Sequence, residues 1–321
     1  MLAANANAAC KIVQLAEWPV RHANNQPLIE GKVNGQPVTA LIDTGSNSTF
    51  VWSWTANQLG LPLGGVPRMR VFGAGGEAQI AETMIKDLQI GAYRASGVRL
   101  LVIGDEHAKN PNSGIVLGDE FFSSFSTEFD IAHGVVRLLR PEGCKADQLA
   151  YWSTTYSQAD LQPVRIENPR ILISVLVNGK HVNAILDTGA RTSILDLSVA
   201  ERIGVRPGAA AEAIPSGGIA GKSFPTWVET FDTVSIGDET IRNVRLRIGD
   251  MFGNDTVVRT GSRIGRAVNS YEMLLGFDFL LSHRVLVLPK EHAVVFTYNG
   301  GPLFQYVEPP TEQAVPSTKS P

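Results

Sequence analysis

The sequence predicts an all-β protein built from two homologous lobes that are related by a pseudo-twofold axis. One observation is a repeat: residues 19–61 and 163–205 align without a gap and share 16 identities in 43 positions, so the chain is an internal duplication. The other is local, because short apolar segments alternate with Asn-Gly and Gly-rich turns in both halves, as in strands joined by hairpins. We expect the two copies to pair through their common face.

Each copy is expected to run through the same elements. An opening strand turns at Asn-Gly into a second strand that ends at an Asp, and a third strand leads into one short helix or two. A Gly-rich hairpin, a strand with an Ile-Gly turn and a terminal hairpin complete the copy. For the first and second copies respectively, we expect opening strands at 28–33 and 171–177, third strands at 48–52 and 192–197, and terminal hairpins at 129–139 and 285–298.

The repeat also sets the expected domain boundaries. We expect an N-terminal leader segment at 1–18, a first lobe at 19–140, a linker at 141–160, a second lobe at 161–306 and a disordered tail at 307–321. The offset between the copies grows from 144 to 158 residues before their closing parts, which predicts an insertion in the second copy between Gly249 and Tyr271.

Composition and motifs argue against several classes of partner. The net charge of −3 gives no electrostatic reason to expect nucleic acid, and no apolar stretch is long enough to span a bilayer. The six histidines lack metal-ligand spacing. Residues 216–223 nearly spell a phosphate-binding loop, but Ser216 stands where the first glycine is required. The sequence therefore predicts no cofactor and no metal.

The only two cysteines, Cys10 and Cys144, lie just before and just after the first copy. A disulfide between them would suit an oxidising compartment, and two buried thiols are the alternative. The first ten residues, which are rich in Ala and Asn, fit the end of an export signal and a disordered leader equally well. We expect a periplasmic or secreted protein.

The tripeptide Asp-Thr-Gly stands at the same place in both copies, with Asp43 and Asp187 each ending an apolar run. If the axis brings the two carboxyl groups together, they cannot both ionise cheaply, so they share one proton and titrate as a coupled unit. The ionised member can act as general base on a water molecule, while the protonated one polarises a carbonyl. This chemistry hydrolyses a peptide bond without a metal or a covalent intermediate.

The neighbours of the two aspartates have expected supporting roles. Gly45 and Gly189 would let the backbone approach the carboxylates closely. Thr44 and Thr188 could lock the two turns to each other across the axis.

The next position differs between the copies, because Ser46 follows the first motif and Ala190 follows the second. A hydroxyl that donates a hydrogen bond to a carboxylate favours its charged form. We therefore expect Asp43 to be the ionised member of the pair.

These motifs resemble those of the aspartic proteases. Each half looks like one subunit of a retroviral-type protease (retropepsin), and the fused pair is arranged like a single-chain, pepsin-like enzyme. The resemblance covers about residues 19–298 and rests on the paired Asp-Thr-Gly turns, the Gly-rich segments and an apolar-apolar-Gly motif before a short helix. It implies acid-protease-like β-barrel lobes, Asp43 and Asp187 as the catalytic dyad, and Gly118 and Gly276 as supports of the active-site turns.

The resemblance also implies flaps that close over a polypeptide substrate in extended conformation. Neither Gly-rich segment contains the tyrosine of a pepsin flap, which favours closure by two flaps, as in retropepsins. The implied flap residues are Phe72, Gly73, Ala74, Gly75 and Gly76 in the first copy and Gly217, Gly218, Ile219, Ala220 and Gly221 in the second. We expect an aspartic endopeptidase that processes specific proteins as a monomer, its lobes forming an intramolecular pseudo-dimer.

Two alternatives stay open. The same cleft could hold an extended peptide as an added strand without cutting it, although a catalytically silent module of this kind would need neither aspartate. Each half could also pair with another chain, which the short linker and the complete duplication make the weaker hypothesis.

Overall fold

The computed structural model describes residues 10–66, 71–73, 76–104, 112–122, 124–144, 148–162, 170–218, 223–252, 257–260, 263–266 and 271–304. Within these residues, strands form two sheets of seven strands, one sheet of six and two separate two-stranded hairpins. The prediction of an all-β fold with few short helices is confirmed.

The first half of the chain contains thirteen of the described strands and two of the described α-helices. The strands are β1 (Lys11–Pro19), β2 (Arg21–His22), β3 (Pro27–Val33), β4 (Gln36–Ile42), β5 (Phe50–Trp52), β6 (Val71–Gly73), β7 (Gly76–Ala78), β8 (Ile80–Ile90), β9 (Tyr93–Ile103), β10 (Ile115–Leu117), β11 (Ser126–Asp130), β12 (Val135–Glu142) and β13 (Ser157–Asp160). The helices are α1 (Ser53–Gln58) and α2 (Asp119–Phe122), and a 3₁₀ turn spans Ile131–His133.

The second half repeats this course. Its described strands are β14 (Leu172–Val177), β15 (Lys180–Leu186), β16 (Ile194–Asp196), β17 (Ile214–Gly217), β18 (Ser223–Ile236), β19 (Glu239–Gly249), β20 (Val257–Thr260), β21 (Arg263–Arg266), β22 (Met273–Leu275), β23 (His283–Leu288) and β24 (Ala293–Tyr298). Its described helices are α3 (Leu197–Ile203) and α4 (Phe277–Ser282). The hairpin of β20 and β21 lies inside the predicted insertion.

Each seven-stranded sheet closes into a barrel. The first runs in the order β2, β3, β4, β10, β5, β9, β8, and pairing of β3 with β8 closes six of these strands into a ring. The second runs β14, β15, β22, β16, β19, β18, β17 and closes through β14 and β18. Closure removes open sheet edges, and the matching strand order shows that the two copies fold alike.

The Asn-Gly turns that open each copy have the backbone that the sequence predicts. Asn34 and Gly35 have φ values of +50° and +81°, and Asn178 and Gly179 have +47° and +73°. Positive φ at both central residues is the type I′ geometry that joins two twisted strands most directly. Each turn therefore sets the register of the strand that carries the Asp.

The six-stranded sheet joins the two lobes. Its order is β1, β12, β11, β23, β24, β13, so the terminal hairpins of the two copies meet at β11 and β23, where Phe129 pairs with Val285. Both edge strands come from segments that were expected to lie outside the lobes: β1 from the leader region 1–18, and β13 from the linker 141–160. Each covers the open edge of a terminal hairpin, which would otherwise expose unpaired backbone groups.

The apolar core continues from one lobe into the other. A single cluster of buried side chains contains Ile42 and Leu186, the residues directly before the two aspartates, together with Phe129 and Val285 of the shared sheet. Interiors packed in this way have low compressibility, so the core holds the ends of β4 and β15 in fixed positions. Among the described helices, none is long and apolar enough to cross a membrane.

Candidate active site

The two Asp-Thr-Gly turns meet where the lobes touch. Asp43 follows β4, and its N–H donates to the Leu117 carbonyl at 2.9 Å, at the end of the parallel neighbour β10. Asp187 follows β15, and its N–H donates to the Leu275 carbonyl at 2.9 Å in the same arrangement with β22. The structure thus brings the predicted aspartates together from equivalent positions.

Each carboxylate is oriented by its own turn. Oδ1 of Asp43 accepts the N–H groups of Gly45 at 3.0 Å and Ser46 at 3.1 Å. Oδ1 of Asp187 accepts those of Gly189 and Ala190, both at 2.9 Å. One oxygen of each carboxyl group is therefore fixed by backbone donors, and Oδ2 is left for a partner across the axis.

The glycines of the turns allow that close approach. A methyl group added at Gly45 would overlap the carboxylate of Asp187, and one added at Gly189 would overlap the carboxylate of Asp43. Each aspartate therefore packs directly against the backbone of the opposite turn, which places the two carboxyl groups side by side.

The two threonines lock the turns to each other. The Thr44 N–H donates to the Thr188 hydroxyl at 3.0 Å, and the Thr188 N–H donates to the Thr44 hydroxyl at 3.1 Å. The hydroxyls also donate across the axis, from Thr44 to the Leu186 carbonyl at 2.5 Å and from Thr188 to the Ile42 carbonyl at 2.7 Å. Both threonines are fully buried, so the lobes are joined at the base of the site.

Burial raises the pKa of both aspartates above the ordinary range. The pKa of Asp43 rises well above it, because desolvation and the charge of Asp187 both oppose ionisation. Desolvation also raises the pKa of Asp187, but the N–H groups of Ala190 and Gly189, a hydrogen bond from Asp43 and the charge of Arg170 lower it. The pair is therefore suited to hold one proton between two carboxyl groups.

The hydroxyl of Ser46 does not act as the sequence suggested. Its Oγ donates to the Ser48 carbonyl at 2.8 Å, and only its backbone N–H reaches Asp43. The expectation that this hydroxyl makes Asp43 the ionised member was wrong, since the side chain bonds to its own loop.

The predicted supports, Gly118 and Gly276, contact the loops behind the two turns. The Gly118 N–H donates to the Thr49 hydroxyl at 3.1 Å, and the Gly276 N–H donates to the Ser193 hydroxyl at 2.9 Å. A methyl group at Gly276 would lie 2.6 Å from the backbone carbon of Thr192. Both positions need glycine because the backbone behind the turn passes so close.

A family model described as aspartyl protease matches residues 29–121 and, separately, residues 173–279. The two matches together make up more than half of the chain. The chain belongs to the aspartyl proteases. Each matched segment of this aspartyl protease contains one Asp-Thr-Gly turn and one supporting glycine. No curated protein sequence matches the chain.

The site has two acidic supports that the motifs alone did not reveal. Asp278 accepts the Ser193 N–H at 2.9 Å and the Ser193 hydroxyl at 2.6 Å. In the first lobe Glu120 accepts the N–H of Thr49. The signal was present in the repeat, because Glu120 and Asp278 each stand two residues after the supporting glycine and are aligned at the same offset of 158.

Arg170 and Tyr271 of the aspartyl protease also belong to the site, and sequence reasoning missed both. Arg170 Nε donates to Asn47 Oδ1 of the opposite lobe at 2.7 Å. The guanidinium carbon lies 4.8 Å from the centre of the Tyr271 ring. The available signal was a difference within the repeat, since Gln26 is aligned with Arg170.

The implied flaps correspond to hairpins. In the first lobe β6 pairs with β7. Phe72 and Gly73 of β6 lie opposite Glu77 and Gly76 of β7, and Ala74 and Gly75 lie outside the described residues. In the second lobe β17 pairs with the start of β18 from Ile214 opposite Thr226 to Gly217 opposite Ser223. Gly218 follows β17, and Ile219, Ala220 and Gly221 lie outside the described residues.

The base of the second hairpin packs near the dyad. Phe224 of β18 belongs to one apolar cluster with Met251 and Tyr271, and Ala190 of the active-site turn packs against it. The base of this hairpin and the Asp187 turn therefore pack against the same apolar cluster.

Two further findings concern cysteines and metals. Cys10 and Cys144 are bonded, with an S–S distance of 2.13 Å, at the outer end of the pairing between β1 and β12. In the part of the chain that the structure describes, no cluster of three or more His, Cys, Asp or Glu side chains is placed to hold a metal ion.

Proposed function

We propose that this protein is an aspartic endopeptidase that hydrolyses peptide bonds with a water molecule activated between Asp43 and Asp187. One observation carries the proposal: each aspartate packs against the glycine of the opposite turn, while one of its oxygens is fixed by two backbone N–H groups. Two buried carboxyl groups in contact share a proton, which is the arrangement that this chemistry needs.

The reaction follows from one ionised and one protonated carboxyl group. The ionised carboxylate takes a proton from water as the water oxygen bonds to the peptide carbonyl carbon, and the protonated group gives its proton to the carbonyl oxygen. In the tetrahedral diol that results, the C–N bond breaks and the first carboxyl passes its proton to the amine. One diol hydroxyl returns a proton to the second carboxylate, so the pair ends in its starting state.

The substrate that fits this site is an extended polypeptide. Two hairpins, β6 with β7 and the start of β18 with β17, are available as flaps, one from each lobe. Exposed strand edges bind extended peptides through backbone hydrogen bonds. Closure from both sides favours the processing of specific proteins over the digestion of bulk polypeptide.

We also propose an oligomeric state and a cellular location for the protein. The protein acts as a monomer whose lobes, proposed at 19–140 and 161–306, form the pair that retropepsin subunits form as a dimer. A periplasmic or secreted location is proposed as well, and the bond between Cys10 and Cys144 supports it, because structural disulfides persist in oxidising compartments.

The proposal is tested by cleavage of a diverse peptide library from acidic to neutral pH. The native protein is compared with Asp43→Asn and Asp187→Asn, which replace each carboxyl group by a neutral amide of the same shape. We expect the native protein to cut and both variants to be inactive while they retain the native unfolding transition.

Two outcomes would overturn the proposal. Cleavage by either variant at the native rate would show that the pair is not the catalytic centre. A native protein that retains peptides tightly but cuts none at any pH would identify a silent peptide-binding module instead.

A further inference from the structure

The surroundings of the dyad are nearly symmetric. Five pairs of equivalent positions that support the site have the same chemistry in both lobes. These pairs are Thr44 and Thr188, Gly45 and Gly189, Thr49 and Ser193, Gly118 and Gly276, and Glu120 and Asp278. These five pairs give the two aspartates no reason to differ in charge.

Other equivalent positions differ between the lobes, as Ser46 and Ala190, Asn47 and Arg191, and Asp119 and Phe277 do. The difference of interest here lies in a pair whose side chains both cross the lobe interface. Gln26 and Arg170 are aligned by the repeat, and each side chain crosses to the other lobe. Gln26 Nε2 donates to the Gly189 carbonyl at 3.4 Å, whereas Arg170 Nε donates to Asn47 Oδ1 at 2.7 Å. The side chain of Gln26 is neutral, whereas that of Arg170 brings a positive charge to the site.

The position of Arg170 is fixed by its contacts. Besides the bond to Asn47, its guanidinium stacks on Tyr271 at 4.8 Å, and Tyr271 is 9% exposed. The repeat aligns Tyr271 with Ser113, which offers no aromatic face. The ring and the cation are therefore a paired feature of the second lobe.

We infer that Arg170 is the positioning residue that assigns the roles of the dyad, with Asp187 as general base and Asp43 as the proton donor. This inference rests on the proposed function and deepens it. Arg170 lies over the Tyr271 ring, and Ala190 of the Asp187 turn packs against the apolar cluster that contains Tyr271. A positive charge favours the ionised form of a nearby carboxyl group, and its effect is larger where burial excludes water. Burial raises the pKa of both aspartates, and the charge of Arg170 is one of the causes that oppose this rise for Asp187, whereas the pKa of Asp43 stays well above its ordinary range.

Other titratable groups also surround the dyad. Those on the neighbouring elements are His22, Asp119, Glu120, Arg191, Tyr271 and Asp278. Glu120 and Asp278 stand at equivalent positions on the two sides of the axis, and burial raises the pKa of Asp278. His22 contacts Phe277 in a tilted arrangement with ring centres 5.6 Å apart, and Arg191 is exposed. The charge of Arg170 also lowers the pKa of Asp119, which desolvation and the charge of Glu120 raise to about 8, so loss of the arginine would affect Asp119 as well as Asp187.

The test uses three variants of the full chain. Arg170→Gln gives the second lobe the residue that the first lobe has, Arg170→Lys keeps the positive charge, and Gln26→Ala removes the neutral crossing as the matched control. Two quantities are measured: the pH profile of kcat/KM on a peptide that the native protein cleaves, and carbon-13 NMR titration of the aspartate carboxyl groups. The resonances are assigned with Asp43→Asn and Asp187→Asn.

The expected result is specific to charge. Arg170→Gln should raise the apparent pKa of the acid limb of the profile by about one pH unit, with the same shift in the Asp187 resonance. Arg170→Lys should keep the native profile, and Gln26→Ala should leave the acid limb unchanged.

The inference and the proposed function fail in different ways. If Arg170→Gln lowers kcat/KM equally at all pH values and the Asp187 titration does not move, Arg170 only holds the lobes together and the inference is overturned. If the native protein cleaves no peptide, the proposed function fails, and the NMR titration still decides whether Arg170 makes Asp187 the first of the pair to ionise.

Discussion

The hydroxyl groups of Thr44 and Thr188 each accept the backbone N–H of the other residue, at 3.1 and 3.0 Å. Each hydroxyl also donates to a carbonyl of the opposite lobe. Because both side chains are fully buried, water cannot replace these bonds. The contact that holds the two lobes together is therefore the same contact that places the dyad.

Replacing either threonine by valine should destabilise the protein strongly. Valine has the same shape but leaves a buried N–H and a buried carbonyl unpaired, so we expect the free energy of unfolding to fall by about 2–4 kcal/mol. Thr44→Ser and Thr188→Ser keep the hydroxyl and should cost about 1 kcal/mol. Urea unfolding measures both effects, and equal losses for Ser and Val would contradict the role of the hydroxyl.

Alanine at Gly45 or Gly189 should abolish cleavage while the fold survives. The added methyl group would overlap the carboxylate of the opposite aspartate, and a displacement of that size lowers catalysis by about 100-fold or more. Gly65→Ala is the matched control, since nothing lies within 4 Å of the added methyl group. The prediction fails if Gly45→Ala cuts the test peptide as fast as Gly65→Ala does.

Asp119 should make the protein less stable as the pH rises. The residue is fully buried, its carboxyl oxygens have no hydrogen-bond partner among the described residues, and desolvation with the charge of Glu120 raises its pKa to about 8. The folded protein then binds this proton more tightly than the unfolded chain does, where the pKa is near 3.8. The contribution of Asp119 to the free energy of unfolding is therefore highest below about pH 4 and falls toward pH 8.

Asp119→Asn removes that titration. In the native protein this group should make the free energy of unfolding fall by up to about 1.4 kcal/mol per pH unit, and the variant should lack that decrease. Urea unfolding at several pH values between acid and neutral measures it. Asp160→Asn, at an exposed position, should keep the native slope. Identical pH dependence in native protein and Asp119→Asn would contradict the prediction.

The disulfide should contribute to stability but not to chemistry. Cys10 and Cys144 are separated by 134 residues, so their bond restricts the unfolded chain, and replacing both by serine should cost about 3–5 kcal/mol. A reductant should destabilise the native protein to the same extent and leave the double variant unchanged. If reduction lowers the activity of folded protein without changing its unfolding transition, the cysteines have another role.

The repeat explains why so much of the site could be predicted from the sequence. A turn that must hold its carboxyl group against the backbone of the opposite turn needs Asp, Thr and Gly twice at a fixed offset, and such a pattern is visible without a structure. The repeat aligns Gly118 with Gly276, but their role as supports was implied by the resemblance to the aspartic proteases.

What the repeat could not predict depends on contacts between distant segments or on side-chain orientation. The pairing of β1 with β12 and of β13 with β24 has no local signal in either segment. The Ser46 hydroxyl could reach either Asp43 or its own loop, and the rotamer decides. Arg170 lies 17 residues before Asp187 in the chain and acts across the lobe interface, so its difference from Gln26 in the repeat does not by itself show that it belongs to the site.

The central claim is that one chain supplies both aspartates to one site, and complementation tests it most directly. Asp43→Asn and Asp187→Asn are assayed separately and as an equimolar mixture on a peptide that the native protein cleaves. We predict no cleavage in any of the three samples, and a native rate proportional to protein concentration, because each folded chain contains a complete pair. Recovery of activity in the mixture would show that lobes pair between chains, and native-like cleavage by either variant alone would show that the pair is not needed.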